Sequence, residues 1–439
     1  MLLEFTAENY KSFKERVVFS MVPAPRQKGL DYSILNEPAN NKKYKALSSS
    51  VIYGANAAGK TNIIGAMDVF RAIVLRGNIR NTTGGYEGNY AHNLLELIPN
   101  NTLKQAKDVK FGIKFVDNNL LFTYDISFTL GSFLERDYKR HITSESLYVN
   151  EKMIFIRENN NLTFGNINRF GEISKTDFES NKKVLENAVE KGIVDDELFL
   201  SNGFRAAILP SIGASIYKYF ENQIKTICNS QFFQAQFNVI NREKTNKLFN
   251  EAISRLGINS NTLTYVKQKN NAFDQLVSVF DDKKIVIPAE LIESYGTLRF
   301  VDLFPLLASV FSTGGILFID EFGTSLHPMV IMDIINIFHN DKINKNHAQL
   351  IFTTQNPVFL NNNLFRRDEI KFVERDDETK CSDLYSLSDF GTRGTTARKG
   401  KDYMNNYFMN KYGAIRRIEL SDIFEKIVDT ANETKITKK

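Results

Sequence analysis

The densest chemistry in the chain lies in nine residues, Gly54 to Asn62, written GANAAGKTN. Their spacing fits G-x-x-x-x-G-K-[ST]. Glycines at the two fixed positions let backbone N–H groups close around a phosphate. Lys60 has the reach to meet β- and γ-phosphates, and the Thr61 hydroxyl suits a Mg²⁺ ion. Gly54, Asn56, Gly59, Lys60, Thr61 and Asn62 are therefore the expected nucleotide-binding residues. The apolar run SSSVIY precedes the loop. KTNIIGAMDVFRAIVL follows it, with Ile63, Ile64, Met67, Phe70, Ile73 and Val74 at helical spacing. A strand, a phosphate loop and a helix opening onto that loop are the context the pattern requires.

Two more groups complete a site. Asp320-Glu321 ends the apolar run ILFI. An aspartate there can hold Mg²⁺ opposite Thr61, often through water. The adjacent glutamate can accept a proton from an attacking water. Alone the pair reads equally well as a solvated acidic turn; the upstream phosphate loop favours the metal and base roles. Shortly before it, ESYGT (Glu293 to Thr297) opens a helical stretch. Ser294 and Gly296 there offer a hydroxyl, free N–H groups and the positive end of a dipole, an anion site with no anion of its own. Plain helix capping is the alternative at this point.

The order of these parts resembles the heads of ABC-type ATPases of the SMC, RecF and OLD kind. ENYKSF (Glu8 to Phe13), SLHP after the acidic pair, and DYMNNYFMNKYGAIRRI near the end make the chain similar to the AAA15 family of those ATPases. That family includes the ATPase halves of bacterial abortive-infection and anti-phage systems such as AbiL- and PARIS-type pairs. The resemblance covers roughly residues 1–75 and 285–420, and the middle matches only in outline. It implies an α/β fold, a P-loop ABC-type head whose mixed sheet is flanked by helices, with an antiparallel β subdomain and an inserted helical subdomain.

The resemblance also implies ATP and Mg²⁺ as cofactors and a homodimer or higher homo-oligomer that sandwiches ATP. Ser294, Gly296 and Thr297 would then meet the γ-phosphate of the partner protomer, and Lys11 and Ser12 would approach the nucleotide from the N-terminal segment. In TTQNP, Gln355 stands where such heads carry histidine. Glutamine can hydrogen-bond a phosphate or water but carries no proton charge near neutral pH, which points to slow hydrolysis or an ATP-held resting state. Lys60, Glu321 and Gln355 are the catalytic candidates. The implied role is sensor and switch for a separate toxic effector, Toprim-like or another nuclease or toxin, in phage defence. An SMC- or RecF-like DNA-repair ATPase and an ATP-held scaffold are the competing readings.

The elements that must position these groups follow from patterning. Residues 1–75 read as an N-terminal lobe, 76–170 as an antiparallel β region beginning with a Gly- and Asn-rich loop to about 100, 171–280 as a helical insertion, 281–420 as a C-terminal lobe and 421–439 as a tail. No segment sustains three or four heptads, so no long coiled coil is expected. RDDETK (Arg375 to Lys380) reads as a charged hairpin turn. The segment 393–417 mixes Arg393, Arg398, Lys399, Lys401, Lys411, Arg416 and Arg417 with Tyr403, Tyr407, Phe408 and Tyr412. It reads as a stacking nucleic-acid surface or as a helix whose aromatics pack inward; the second is favoured.

Bulk properties narrow the classes. Of 439 residues 42% are hydrophobic and 24% charged, ordinary for a globular chain, and a net charge of +5 permits nucleic acid without arguing for it. No apolar run is long enough for a membrane span, and MLLEFTAENYKSF lacks the basic start of a signal peptide. Cys228 and Cys381 are too few and too far apart for a knuckle or a disulfide framework, so a reducing cytoplasm is expected. Five scattered histidines give no zinc spacing.

Overall fold

The computed structural model describes residues 1–80 apart from 26 and 28, then 100, 107–130, 140–165, 167, 170, 175–227, 242–255, 262–267, 274–280, 285–324, 326–390, 401–416 and 419–436. Most of the loop expected to 100 lies outside these residues, as do Cys228, Ser325, Arg393, Arg398, Lys399 and Arg417.

The chain opens with β1 (Leu2–Glu8) and β2 (Val17–Ser20), makes the hairpin β3 (Ile34–Ala39) and β4 (Lys42–Leu47), then runs through β5 (Ser49–Tyr53) into α1 (Lys60–Arg76). Five strands follow: β6 (Val109–Asp117), β7 (Leu120–Thr129), β8 (His141–Val149), β9 (Lys152–Glu158) and β10 (Asn161–Phe164). The middle holds α2 (Lys175–Gly192), α3 (Pro210–Lys218), β11 (Ile224–Ile227), α4 (Arg242–Arg255), β12 (Thr262–Lys267), β13 (Asp274–Phe280) and β14 (Ile285–Pro288). The last part is α5 (Tyr295–Thr313), β15 (Ile316–Ile319), α6 (Pro328–Phe338), β16 (Gln349–Thr353), β17 (Ile370–Arg375), β18 (Ser382–Ser386), α7 (Tyr403–Phe408) and α8 (Ser421–Ile436).

Two large sheets result. One is antiparallel, in the order β10-β9-β8-β7-β6-β1-β2. The other runs β11-β15-β16-β5-β17-β18, parallel except for its last strand. Every residue of β5, β15 and β16 is buried, as expected of parallel strands covered on both faces. Their side chains alternate between two cores. Ile52, Ile316, Phe318 and Ile351 face α1 and the antiparallel sheet, while Val51, Tyr53, Leu317, Ile319, Leu350 and Phe352 face α5 and α6. Helix α1 is thus held between the sheets. Its Phe70 ring lies 5.7 Å from Phe111 and 6.1 Å from Tyr124 of the antiparallel sheet, and 5.3 Å from Phe220.

Register fixes what meets at the carboxyl ends. Ile319 is level with Phe352, and Phe352 with Val51. The segments leaving β15, β16 and β5 therefore emerge together, with β16 between the other two. That edge is where ligands bind in open α/β sheets.

The expected segments do not each form a separate unit. Residues 171–280 carry helices, but β11 joins the parallel sheet beside β15, and β12 and β13 pair with β14. IKTI is too short for its apolar spacing to separate strand from helix. β1 and β2 belong to the same antiparallel sheet as β6, so the N-terminal segment is shared between both sheets. Much of the expected tail folds as α8.

Candidate functional site

The loop between β5 and α1 needs its glycines. A Cβ on Gly54 would lie 2.4 Å from the Val373 carbonyl oxygen. Gly59 sits at φ 108°, and a Cβ there would lie 2.5 Å from Ser12 Oγ. Lys60 is 6% exposed, and its ammonium donates to the carbonyls of Gly54 (2.9 Å) and Ala55 (3.0 Å). Burial lowers its pKa from the usual lysine range, while Asp320 and Glu321 pull it back up. A desolvated cation whose hydrogen bonds among the described residues go to neutral carbonyls, in a glycine cradle at a helix start, fits an anionic phosphate.

Opposite it, Thr61 Oγ1 donates to Asp320 Oδ2 at 2.9 Å. The other oxygen, Oδ1, accepts from Thr353 Oγ1 at 2.6 Å. Thr353 also accepts from the Glu321 backbone N–H at 2.7 Å. Thr353 ends β16, the strand between β5, which leads to the phosphate loop, and β15, which leads to Asp320, so it can reach both acidic residues. A hydroxyl and a carboxylate converging in this way are the hard oxygen donors Mg²⁺ takes.

Glu321 is exposed, and its backbone is left-handed at φ 51°. Gln355 donates from Nε2 to Glu321 Oε1 at 3.3 Å. The catalytic candidates Lys60, Glu321 and Gln355 therefore share one end of the sheet.

The N-terminal segment closes the other side of the loop. Asn62 Nδ2 donates to Ser12 Oγ at 2.7 Å, and the Ser12 carbonyl accepts from Ser382 N at 2.7 Å. Ser382 Oγ in turn donates to the Ala58 carbonyl at 2.6 Å. Lys11 is at φ 49°, with its ammonium 5.6 Å from the Tyr10 ring centre. Arg375 donates to the Ala57 carbonyl at 3.3 Å. Asn56 is exposed at the loop's tip.

Ser294 caps α5, accepting from Thr297 N at 3.1 Å, and its hydroxyl lies 2.8 Å from Thr297 Oγ1. Thr297 is 1% exposed, while Ser294 faces solvent and Gly296 is half-buried. Among the described residues no hydrogen bond joins these three to the phosphate loop of the same chain. Tyr403, Tyr407 and Tyr412 pack into the core beside α5 and α6, which is the inward-packing alternative for that segment, and Arg416 pairs with Asp377. Asp376 accepts from Glu378 N and Thr379 N, the charged turn expected between β17 and β18.

Sequence reasoning missed Thr353, Ser382 and Arg375 as parts of this site. Thr353 carried a signal, a hydroxyl at the end of an apolar strand. Ser382 carried none, because its partner Ala58 lies 324 residues away.

A family model described as "AAA domain, putative AbiEii toxin, Type IV TA system" matches residues 49–361. The match begins at β5, takes in the phosphate loop and Asp320-Glu321, and ends past Gln355. No curated protein matches the chain. The match spans well over half of the 439 residues and contains the phosphate loop, so the chain belongs to this AAA-domain family and has the fold of a P-loop ATPase.

Proposed function

We propose that the chain is an ABC-type ATPase that binds and hydrolyses ATP with Mg²⁺ between two protomers, and that it senses and regulates a separate toxic effector in phage defence. The observation that carries the catalytic part is the 2.9 Å bond from Thr61 to Asp320, with Glu321 the next residue. Thr61 and Asp320 would hold Mg²⁺, which would supply positive charge against the negative charge that develops on the phosphate. Lys60 exchanges its two loop carbonyls for phosphate oxygens. Thr353 fixes one Asp320 oxygen and leaves the other facing Thr61. Glu321 takes the proton of the attacking water, and Gln355 steers its carboxylate. Gln355 cannot relay that proton, so turnover is slow.

The two-protomer part draws support from Ser294, a solvent-facing helix start with no bond to its own phosphate loop. The effector part draws support from the family description, which ties the domain to toxin systems. A second reading, an ATP-held scaffold, is favoured by the Gln355–Glu321 bond, which occupies one oxygen of the base.

Calorimetry and turnover test the core of this reading. Lys60→Ala abolishes ATP binding; unchanged affinity removes the ATPase reading. Glu321→Gln keeps ATP affinity within about threefold, lowers turnover by about 10²-fold or more and accumulates ATP-dependent oligomers. Turnover at the unaltered rate in that variant would show that Glu321 is not the base. Co-expression with the product of the adjacent gene tests the regulatory part: toxicity should appear when Lys60→Ala replaces the intact chain.

A further inference from the structure

Helix α5 reaches the catalytic turn of its own protomer as well as offering its N-terminus outward. Arg299 and Leu303, one turn apart, line a cleft of about 10 Å³ with Glu321, Phe322, Gly323 and Thr324, room for about one water. Leu303 packs in the same core as Ile319 and Phe322, so α5 is braced against the strand that leads to Asp320. Arg299 is half-buried and, among the described residues, donates no side-chain hydrogen bond. Three residues on, Asp302 has a buried carboxylate oxygen, Oδ2, with no hydrogen-bond partner. A five-donor guanidinium lining the cleft thus lies close enough to attract a carboxylate with one unsatisfied oxygen, with no hydrogen bond between them among the described residues.

That turn is poised rather than locked. Glu321 is a non-glycine residue at φ 51°, and Gly323 is at φ 115°. The turn closes through Thr324 N and Thr324 Oγ1, both at a long 3.4 Å from the Glu321 carbonyl. A left-handed, loosely closed turn needs outside support to keep one conformation. Thr353 supplies it from the β16 side, and Arg299 stands on the other.

We propose that Arg299 is a positioning residue for Glu321: when α5 is loaded at Ser294, its guanidinium, which already lines the cleft, bonds backbone acceptors of the 321–324 turn and sets the Glu321 carboxylate against the nucleotide. The rigid helix carries the signal, because Ser294 and Arg299 lie at its N-terminal end and Leu303 anchors it against the turn. The input depends on the two-protomer reading above; the output lies within one protomer.

The chain has no tryptophan, so Thr324→Trp installs a single fluorophore at an exposed position on the turn. ATP should shift its emission, and the shift should vanish when Arg299→Met is added, while ATP binding persists. Without the reporter, Arg299→Met should lower kcat at least tenfold with KM changed less than twofold, and Arg299→Lys should recover part of the loss. The lysine variant also serves if the methionine variant fails to fold. An unaltered kcat in Arg299→Met, a defect confined to KM, or an emission shift that survives the substitution overturns the assignment. Light scattering separates the two readings. No ATP-dependent association with kcat still lost in Arg299→Met removes the two-protomer input and keeps Arg299 as a positioning residue. Association with kcat retained removes Arg299 alone.

Discussion

Thr353 holds both acidic residues of the site through one fully buried hydroxyl, donating to Asp320 and accepting from Glu321 N. Thr353→Val keeps the shape and removes both bonds. It leaves a carboxylate oxygen and an N–H without partners, a cost of about 1–3 kcal/mol for each buried group. The expected result is a kcat lowered by about ten- to a hundredfold and a higher Mg²⁺ requirement, with ATP affinity in EDTA nearly unchanged, since Lys60 and the glycine loop are untouched. Thr353→Ser should restore most of the loss. Full turnover at low Mg²⁺ in the valine variant would show that the clamp is only a fold contact.

At the scale of elements, what could be read from sequence depended on how local the cause was. The phosphate loop was legible because its strand, glycines and helix are contiguous. β15 and β16 were legible because doubly covered strands read as short apolar runs. β11 was not: IKTI becomes a strand only because Ile316–Ile319 lies beside it, and those residues come much later in the chain. Nor was Ser382 legible, since its role is set by Ala58 and Ser12. Helix α5 was legible by its cap but not by the buried carboxylate it carries at Asp302. Burial pushes the Asp302 carboxyl up to about 7, against the pull of Arg299, and burial, followed by this carboxylate, raises Tyr265. A raised carboxyl binds its proton better folded than unfolded, so this group's contribution falls as pH rises between about 4 and 7 and is level above that. Asp302→Asn should therefore raise the melting temperature more at pH 8 than at pH 5, a difference on the order of 2 kcal/mol. Thermal denaturation at the two values checks this; an equal gain at both would mean that Asp302 ionises freely in the fold.

For the whole molecule the question is whether one chain contains a complete site. Lys60, Thr61, Asp320 and Glu321 converge within the chain, but among the described residues the Ser294-capped start of α5 makes no hydrogen bond to them. It is flanked by large apolar side chains in solvent, Leu291 at 76%, Ile292 at 42% and Tyr295 at 46% exposure, a rim suited to a partner surface. If a second copy provides that surface, Ser294→Arg puts a long cation where its nucleotide must approach, so ATP binding should persist while hydrolysis falls. Mixing Ser294→Arg chains with Lys60→Ala chains makes heterodimers in which one composite site carries both lesions and the other carries neither. Activity should then return, up to half that of an unaltered dimer, provided one intact site fires alone. Coupled sites would instead restore nucleotide trapping without turnover, so both are measured. Neither signal in verified heterodimers, or normal hydrolysis by Ser294→Arg alone, would leave Ser294 as a helix cap and place the complete catalytic site within a single chain.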